Sequence, residues 1–251
     1  LYSADDGEGI KRVYSYYANG TLANQWVAYG HADEVRTVYV YDNAGRLARR
    51  YDGYGTADQV ITYQSYDGLG NLVSITDPNN NVTTRSYDRL GRMLSQTNAL
   101  NGVVSHQYNA FDDVVKTTDA RGNATFFYFD RLGREIASRD AENHVTETDY
   151  SVFGEVAGVM RRYNKATGTP NTTTLPSVVA HAKDANTSFE YERLGRLTKT
   201  IDAEGGYEQY TLDAFGQRLS VRNRLGGTVT NVYDRRGLLV AETLPMSSTN
   251  S

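Results

Sequence analysis

Short stretches rich in Thr, Val, Phe and Tyr, such as Val82 to Tyr87 and Ala124 to Phe129, alternate along the chain with clusters of Asp, Asn and Gly. β-branched and aromatic residues suit pleated strands, and Asp, Asn and Gly suit tight turns. The pattern therefore predicts many short strands and no long amphipathic helix. Alternation within the strands is imperfect: Leu72, Ser74 and Thr76 share one face while Val73 and Ile75 share the other, so it does not choose a buried face.

The turns recur at a fixed period. An aromatic followed four residues later by Gly anchors the pattern, with Tyr16, Tyr41, Tyr66, Tyr87, Tyr108, Phe129, Tyr150, Tyr191, Leu212 and Tyr233 at its first position. The fifth position holds Gly20, Gly45, Gly70, Gly91, Asp112, Gly133, Gly154, Gly195, Gly216 and Gly237. Successive anchors lie 25, 25, 21, 21, 21, 21, 41, 21 and 21 residues apart, which makes a 21-residue repeat the dominant fact of the chain. The 41-residue step spans either a loop insertion or a decayed repeat at about residues 161–188; Pro170, Pro176 and the Thr172 to Thr174 run favour a loop for about the first half of Asn164 to Ser188.

A second turn signal follows the anchors by about ten residues, as at Asp77 to Asn80, Leu100 to Gly102, Asp119 to Asn123, Asp140 to Asn143 and Asp202 to Gly206. Two turns in 21 residues leave two strands, so each unit is a β-hairpin. Gly supplies the positive φ of the first turn, and Asp42, Asp67, Asp88, Asp130, Asp213 and Asp234 beside the aromatic cap turn amides. The aromatic offers a ring for stacking on the same position one repeat away. Ten hairpins make about twenty strands, ~95 Å across at ~4.8 Å per strand. So wide a sheet must bend, which predicts a curved or spiral all-β wall of tandem antiparallel hairpins over residues 1–251 rather than a two-layer sandwich.

Composition sharpens the exclusions. Cysteine is absent, net charge is -4, and Lys and Arg are scattered, so disulfides, thiol chemistry and a basic nucleic-acid stripe are unexpected. No apolar run approaches the ~20 residues that cross a bilayer, and Leu1 to Gly9 lacks a signal-peptide pattern. Leu at position 1 and the Ser/Thr-rich Met246 to Ser251 tail suggest a piece of a longer chain.

The stretches Tyr41 to Leu47 (YDNAGRL), Tyr66 to Leu72 (YDGLGNL), Tyr87 to Met93 (YDRLGRM), Phe129 to Glu135 (FDRLGRE), Tyr191 to Leu197 (YERLGRL) and Tyr233 to Leu239 (YDRRGLL) resemble the YDxxGRL motif of Rhs/YD-repeat proteins. The resemblance runs from Tyr14 to about Glu242. It implies a β-sheet strip that spirals into a hollow shell, as in bacterial polymorphic toxins, the C component of ABC toxins and teneurins. It further implies a structural, non-catalytic segment whose partners are the rest of the parent shell and an enclosed C-terminal toxin, secreted or at the cell surface. The family's closing region, with its DPxGL-like motif and self-cleavage aspartates, has no counterpart, since the one Asp-Pro, Asp77-Pro78, runs into Asn79-Asn80.

Chemistry adds little. His31, His106, His144 and His181 lie far apart and form no metal-ligand pair by local spacing. Asp5-Asp6 and Asp112-Asp113 are expected on opposite faces of a strand, wrong for paired acid and base work. Turn capping accounts for the repeated Asp without calcium, and nothing calls for a cofactor. The expected site residues are structural: Tyr41, Asp42, Gly45, Tyr66, Asp67, Gly70, Tyr87, Asp88, Gly91, Phe129, Asp130, Gly133, Tyr191, Gly195, Tyr233, Asp234 and Gly237. The alternative is an extracellular or wall-associated adhesin that binds a glycan or partner protein through the tyrosines, and exposed edge strands add a route to self-association.

Overall fold

The computed structural model describes residues 2–5 and 11–245. Apart from Tyr2 to Asp5, the N-terminal stretch, with Asp6, and the Met246 to Ser251 tail lie outside the described residues. The chain divides into two compact units, one holding Leu1–Gln107 with Thr118–Asn123, the other Tyr108–Thr117 with Ala124–Ser251.

The strands that begin in the first unit are β1 (Tyr2–Asp5), β2 (Lys11–Tyr16), β3 (Leu22–Val27), β4 (Val35–Tyr41), β5 (Leu47–Asp52), β6 (Val60–Tyr66), β7 (Leu72–Thr76), β8 (Val82–Tyr87), β9 (Met93–Thr97) and β10 (Val103–Tyr108). Those of the second are β11 (Val114–Thr118), β12 (Ala124–Phe129), β13 (Glu135–Arg139), β14 (Val145–Tyr150), β15 (Val156–Arg161), β16 (Ala185–Tyr191), β17 (Leu197–Ile201), β18 (Tyr207–Leu212), β19 (Arg218–Arg222), β20 (Thr228–Tyr233) and β21 (Leu239–Thr243). The protein is all-β, and strands pair antiparallel with their sequence neighbours from β1 to β10 and from β12 to β21, as in β4 with β5 and β5 with β6. Each anchor closes a hairpin, and β1 adds a strand before the first of them.

A β-bulge sits at the same place in hairpin after hairpin. The register slips between Val40 and Tyr41, Ser65 and Tyr66, Ser86 and Tyr87, Tyr128 and Phe129, Asp149 and Tyr150, and Val232 and Tyr233, always at the anchor. A bulge raises the local right-handed twist, so the extra twist returns once per repeat.

Each unit has two rims, and they differ. The anchor turns form the first rim and keep one length, closed by bonds such as Gly45 N to Asp42 O at 2.9 Å and Gly133 N to Asp130 O at 3.1 Å. All departures from the 21-residue step lie on the second rim. Turns over 28–34 and 53–59 lengthen the first two steps, and a loop over 162–184 fills the 41-residue step. That loop is an insertion through its whole length rather than its first half. Its one ladder contact is a bridge from Thr167 to Ser177, and β16 pairs directly with β15 through Arg161 and Ala185.

Burial is concentrated where the insertion lies. Phe126, Tyr128 and Ala137 form a buried cluster, and Arg139 and Val145 are buried beside it. The loop supplies the buried Ala166, whose amide bonds Asn143 O at 2.8 Å. It also accepts from Tyr128 Oη at Asn171 O and from Arg139 at Gly168 O, each at 2.9 Å. Arg162 anchors its start, donating to Glu147 at 2.6 Å and Asp184 at 3.0 Å, and both carboxylates hold the guanidinium pKa above its usual value. Most strand positions elsewhere are half-buried, in keeping with the imperfect alternation of the sequence.

Candidate functional site: a clasp that recurs along the anchor turns

Consider the hairpin of β4 and β5. Asp42 Oδ1 accepts the amides of Ala44 and Arg46, each at 2.9 Å, which satisfies the inside of the turn. Its Oδ2 accepts Arg46 Nε at 2.8 Å. The amide and then the guanidinium of Arg46 hold the Asp42 carboxyl below its ordinary pKa. Asp88 and Asp130 repeat the arrangement with Arg92 and Arg134, at 2.7 and 2.8 Å from Nε. Asp67 makes it with Asn71, whose side-chain amide donates at 2.9 Å and is the main cause of a lowered pKa. Asp234 caps Arg236 and Leu238, while Glu192 pairs with Arg196.

The fifth position of the turn needs positive φ. Gly133 has φ +76°, and Gly45, Gly70, Gly91, Gly195 and Gly237 lie between +75° and +95°. Asp112 takes the same conformation at φ +72°. Asp112 and Asp113 therefore sit in a turn, not on opposite faces of a strand as the sequence suggested, and Asp113 takes a bond from Asn109 Nδ2 at 2.8 Å.

The rings of Tyr41, Tyr66, Tyr87, Tyr150 and Tyr191 do not stack on one another. No ring contact joins Tyr41 to Tyr66, Tyr66 to Tyr87 or Tyr150 to Tyr191; Tyr17 with Tyr41, at 6.0 Å and edge-on, is a neighbouring contact of a different kind. The reason is spacing: anchors are two strands apart, about 9.6 Å, beyond the ~7 Å reach of ring pairs. The phenol hydroxyl instead donates to a backbone carbonyl of the preceding hairpin. Tyr41 reaches Leu22 O, Tyr66 reaches Leu47 O and Tyr87 reaches Leu72 O, each at 3.0 Å. Tyr150 reaches Glu135 O and Tyr191 reaches Val156 O, each at 2.9 Å, and Tyr233 reaches Arg218 O at 3.2 Å. Phe129 occupies the position without the hydroxyl.

The arginine after the turn glycine points the other way, into the next hairpin. Arg46 donates to Asp67 O at 3.0 Å and its guanidinium lies 4.6 Å from the centroid of the Tyr66 ring. Arg134 lies 4.4 Å from the Tyr150 ring, and Arg196 donates to Ala214 O at 3.4 Å. These links fall where the backbone ladder opens. Between hairpins the pairs stop at Asn24 with Val38 and at Arg49 with Tyr63, short of the first rim. Tyrosine and arginine close that gap from opposite sides. The sequence reading missed the arginine, although its recurrence in GR after four of the ten anchor turns was visible.

No group of three His, Asp or Glu is placed to hold a metal among the described residues. His181 stacks on Tyr163 at 4.5 Å and His144 lies 3.4 Å from Asp140, both local contacts. Open hollows flank the insertion, one of about 430 Å³ lined by Arg134, Ile136, Thr148, Tyr150, Leu175 and Pro176.

Three stretches, residues 66–103, 87–124 and 191–228, match the RHS Repeat family. No curated protein matches the chain. Among solved structures, the chain is similar to the crystal structure of TcdB2-TccC3-Cdc42 at 16% identity, covering 95% of this chain with a TM-score of 0.49. It is also similar to the Photorhabdus luminescens Tc holotoxin pore at 12% identity, covering 99% with a TM-score of 0.40. It spans only 17% and 19% of those chains.

Proposed function

We propose that this chain, three stretches of which match the RHS Repeat family, is an Rhs/YD-repeat array that forms a stretch of shell wall in a longer protein, and that the wall encloses a C-terminal toxin of that protein. The carrying observation is the clasp: six hairpins are tied backward by the anchor tyrosine, and Arg46, Arg134 and Arg196 tie theirs forward, so the sheet propagates through its own repeat. The side chains of the repeat are spent on that joint. A guanidinium covers one face of the Tyr66 and Tyr150 rings, which counts against the glycan-binding alternative. On this reading the segment is non-catalytic and works outside the cell that makes it.

Protease protection tests the reading in the full-length parent. A C-terminal segment that resists digestion in the native parent, and is digested once Tyr66→Ala and Tyr87→Ala open the wall, supports enclosure. A segment equally digestible in both forms sinks it.

A further inference from the structure

Five anchor turns of the second unit carry a large apolar residue at their fourth position, immediately before the residue at positive φ. Phe111, Leu132, Phe153, Leu194 and Phe215 are each between 74% and 90% exposed. Their turns do not need them, since the capping side chain and the residue at positive φ make the turn. Arg236 holds the same position in the last turn of the unit. The turns nevertheless fix their direction: the amides of Phe111, Leu132 and Phe215 donate to Asn109, Asp130 and Asp213, each at 2.8 Å. The 41-residue step leaves no gap in this row, because the insertion departs from the opposite rim and β15 pairs with β16.

The preceding residue alternates in character: Ala110, Arg131, Val152, Arg193, Ala214, Arg235. Arg131, Arg193 and Arg235 are exposed and have no ion pair or hydrogen bond among the described residues. Turn by turn the rim thus presents phenylalanine, then arginine, three times over.

We propose that this rim is a self-association surface, on which a second copy of the chain docks antiparallel about a two-fold axis between the Phe153 and Leu194 turns. That register sets Phe153 against Arg193 of the second copy, Phe215 against Arg131 and Phe111 against Arg235. Every contact brings a free guanidinium to an exposed ring, a favourable cation–π pairing. A shift of one turn opposes arginine to arginine and ring to ring, so the row selects its own register. The two rows share one spacing because they share one repeat, and the contact is isologous, as a two-fold requires. At about 150 Å² for each phenylalanine, the six of the two copies bury about 900 Å² together, and Leu132, Leu194 and the facing arginines of both copies add to this toward the roughly 1,200–2,000 Å² of stable interfaces. The inference does not depend on the shell reading.

Sedimentation of the chain over a concentration series, with circular dichroism as the folding control, tests it. The expected result is a monomer–dimer equilibrium that weakens at least about tenfold in the Phe111→Ser, Phe153→Ser, Phe215→Ser variant, with an unchanged spectrum. Because the chain has no cysteine, the register can be read by disulfide trapping. Mixing Phe153→Cys chains with Arg193→Cys chains should give the mixed disulfide in excess over either homodimer. A chain that stays monomeric overturns the proposal. So does a dimer untouched by the triple substitution, which would place the contact on a strand edge. Binding to phosphatidylglycerol vesicles without self-association overturns it as well.

Discussion

The hydroxyl of Tyr87 has one assigned task, a bond to Leu72 O at 3.0 Å, so Tyr87→Phe isolates it. We expect the loss of about 1 kcal/mol, read from urea denaturation, with no change in the spectrum of the folded state. Phe129 shows that the position tolerates a missing hydroxyl in one repeat of the array. Gly133→Ala probes the turn instead. At φ +76° an added Cβ meets no close atom but adopts a strained backbone, so a cost of about 1 kcal/mol is expected from conformation alone. The aspartates behave as a titrating set. Asp42, Asp67 and Asp130 have lowered pKa values in the folded state, so their contribution is fully present above the unfolded value near 3.9 and is lost as pH falls through the folded values. Melting temperature should hold steady from neutral pH and drop in the acid range. Asp→Asn at these turns should flatten the drop, since Asn98, Asn109 and Asn223 already make the same amide bonds without a titrating group.

At the scale of the hairpin, the decisive group is the arginine that leaves one turn for the next. Arg46→Lys keeps the charge and loses the fork that serves Asp42, Asp67 O and the Tyr66 ring together. We expect lower stability than wild type and faster amide exchange at the first-rim ends of β5 and β6, with the second-rim ends unaffected. The turns were legible in the sequence because positive φ and amide capping restrict the residue types at fixed places. The arginine was not, because its partners lie about twenty residues away and belong to the next repeat. The bulge at each anchor was hidden for a related reason: a slip of one residue leaves the 21-residue period intact. Ring stacking was expected from the recurrence of tyrosine alone, and the two-strand separation rules it out.

Within the second unit as a whole, stability is concentrated under the insertion. Replacing residues 162–184 with a short turn removes the carbonyls that receive Tyr128 and Arg139 and uncovers Val145 and the Phe126 cluster. The expected result is a lower melting temperature and new binding of a hydrophobic dye, while an equivalent change at the turn over 28–34 leaves both unaltered. The sequence marked this segment as an interruption but not as a cover, since the groups that receive Tyr128 and Arg139 are backbone carbonyls, which leave no side-chain signature. Its position on the second rim carries a broader consequence. One margin of the array is a ruler of constant graduation; the other accepts slack. A gene encoding such an array can therefore lengthen by splicing foreign sequence into second-rim turns, such as that at Asn79 and Asn80, without shifting a single strand out of step.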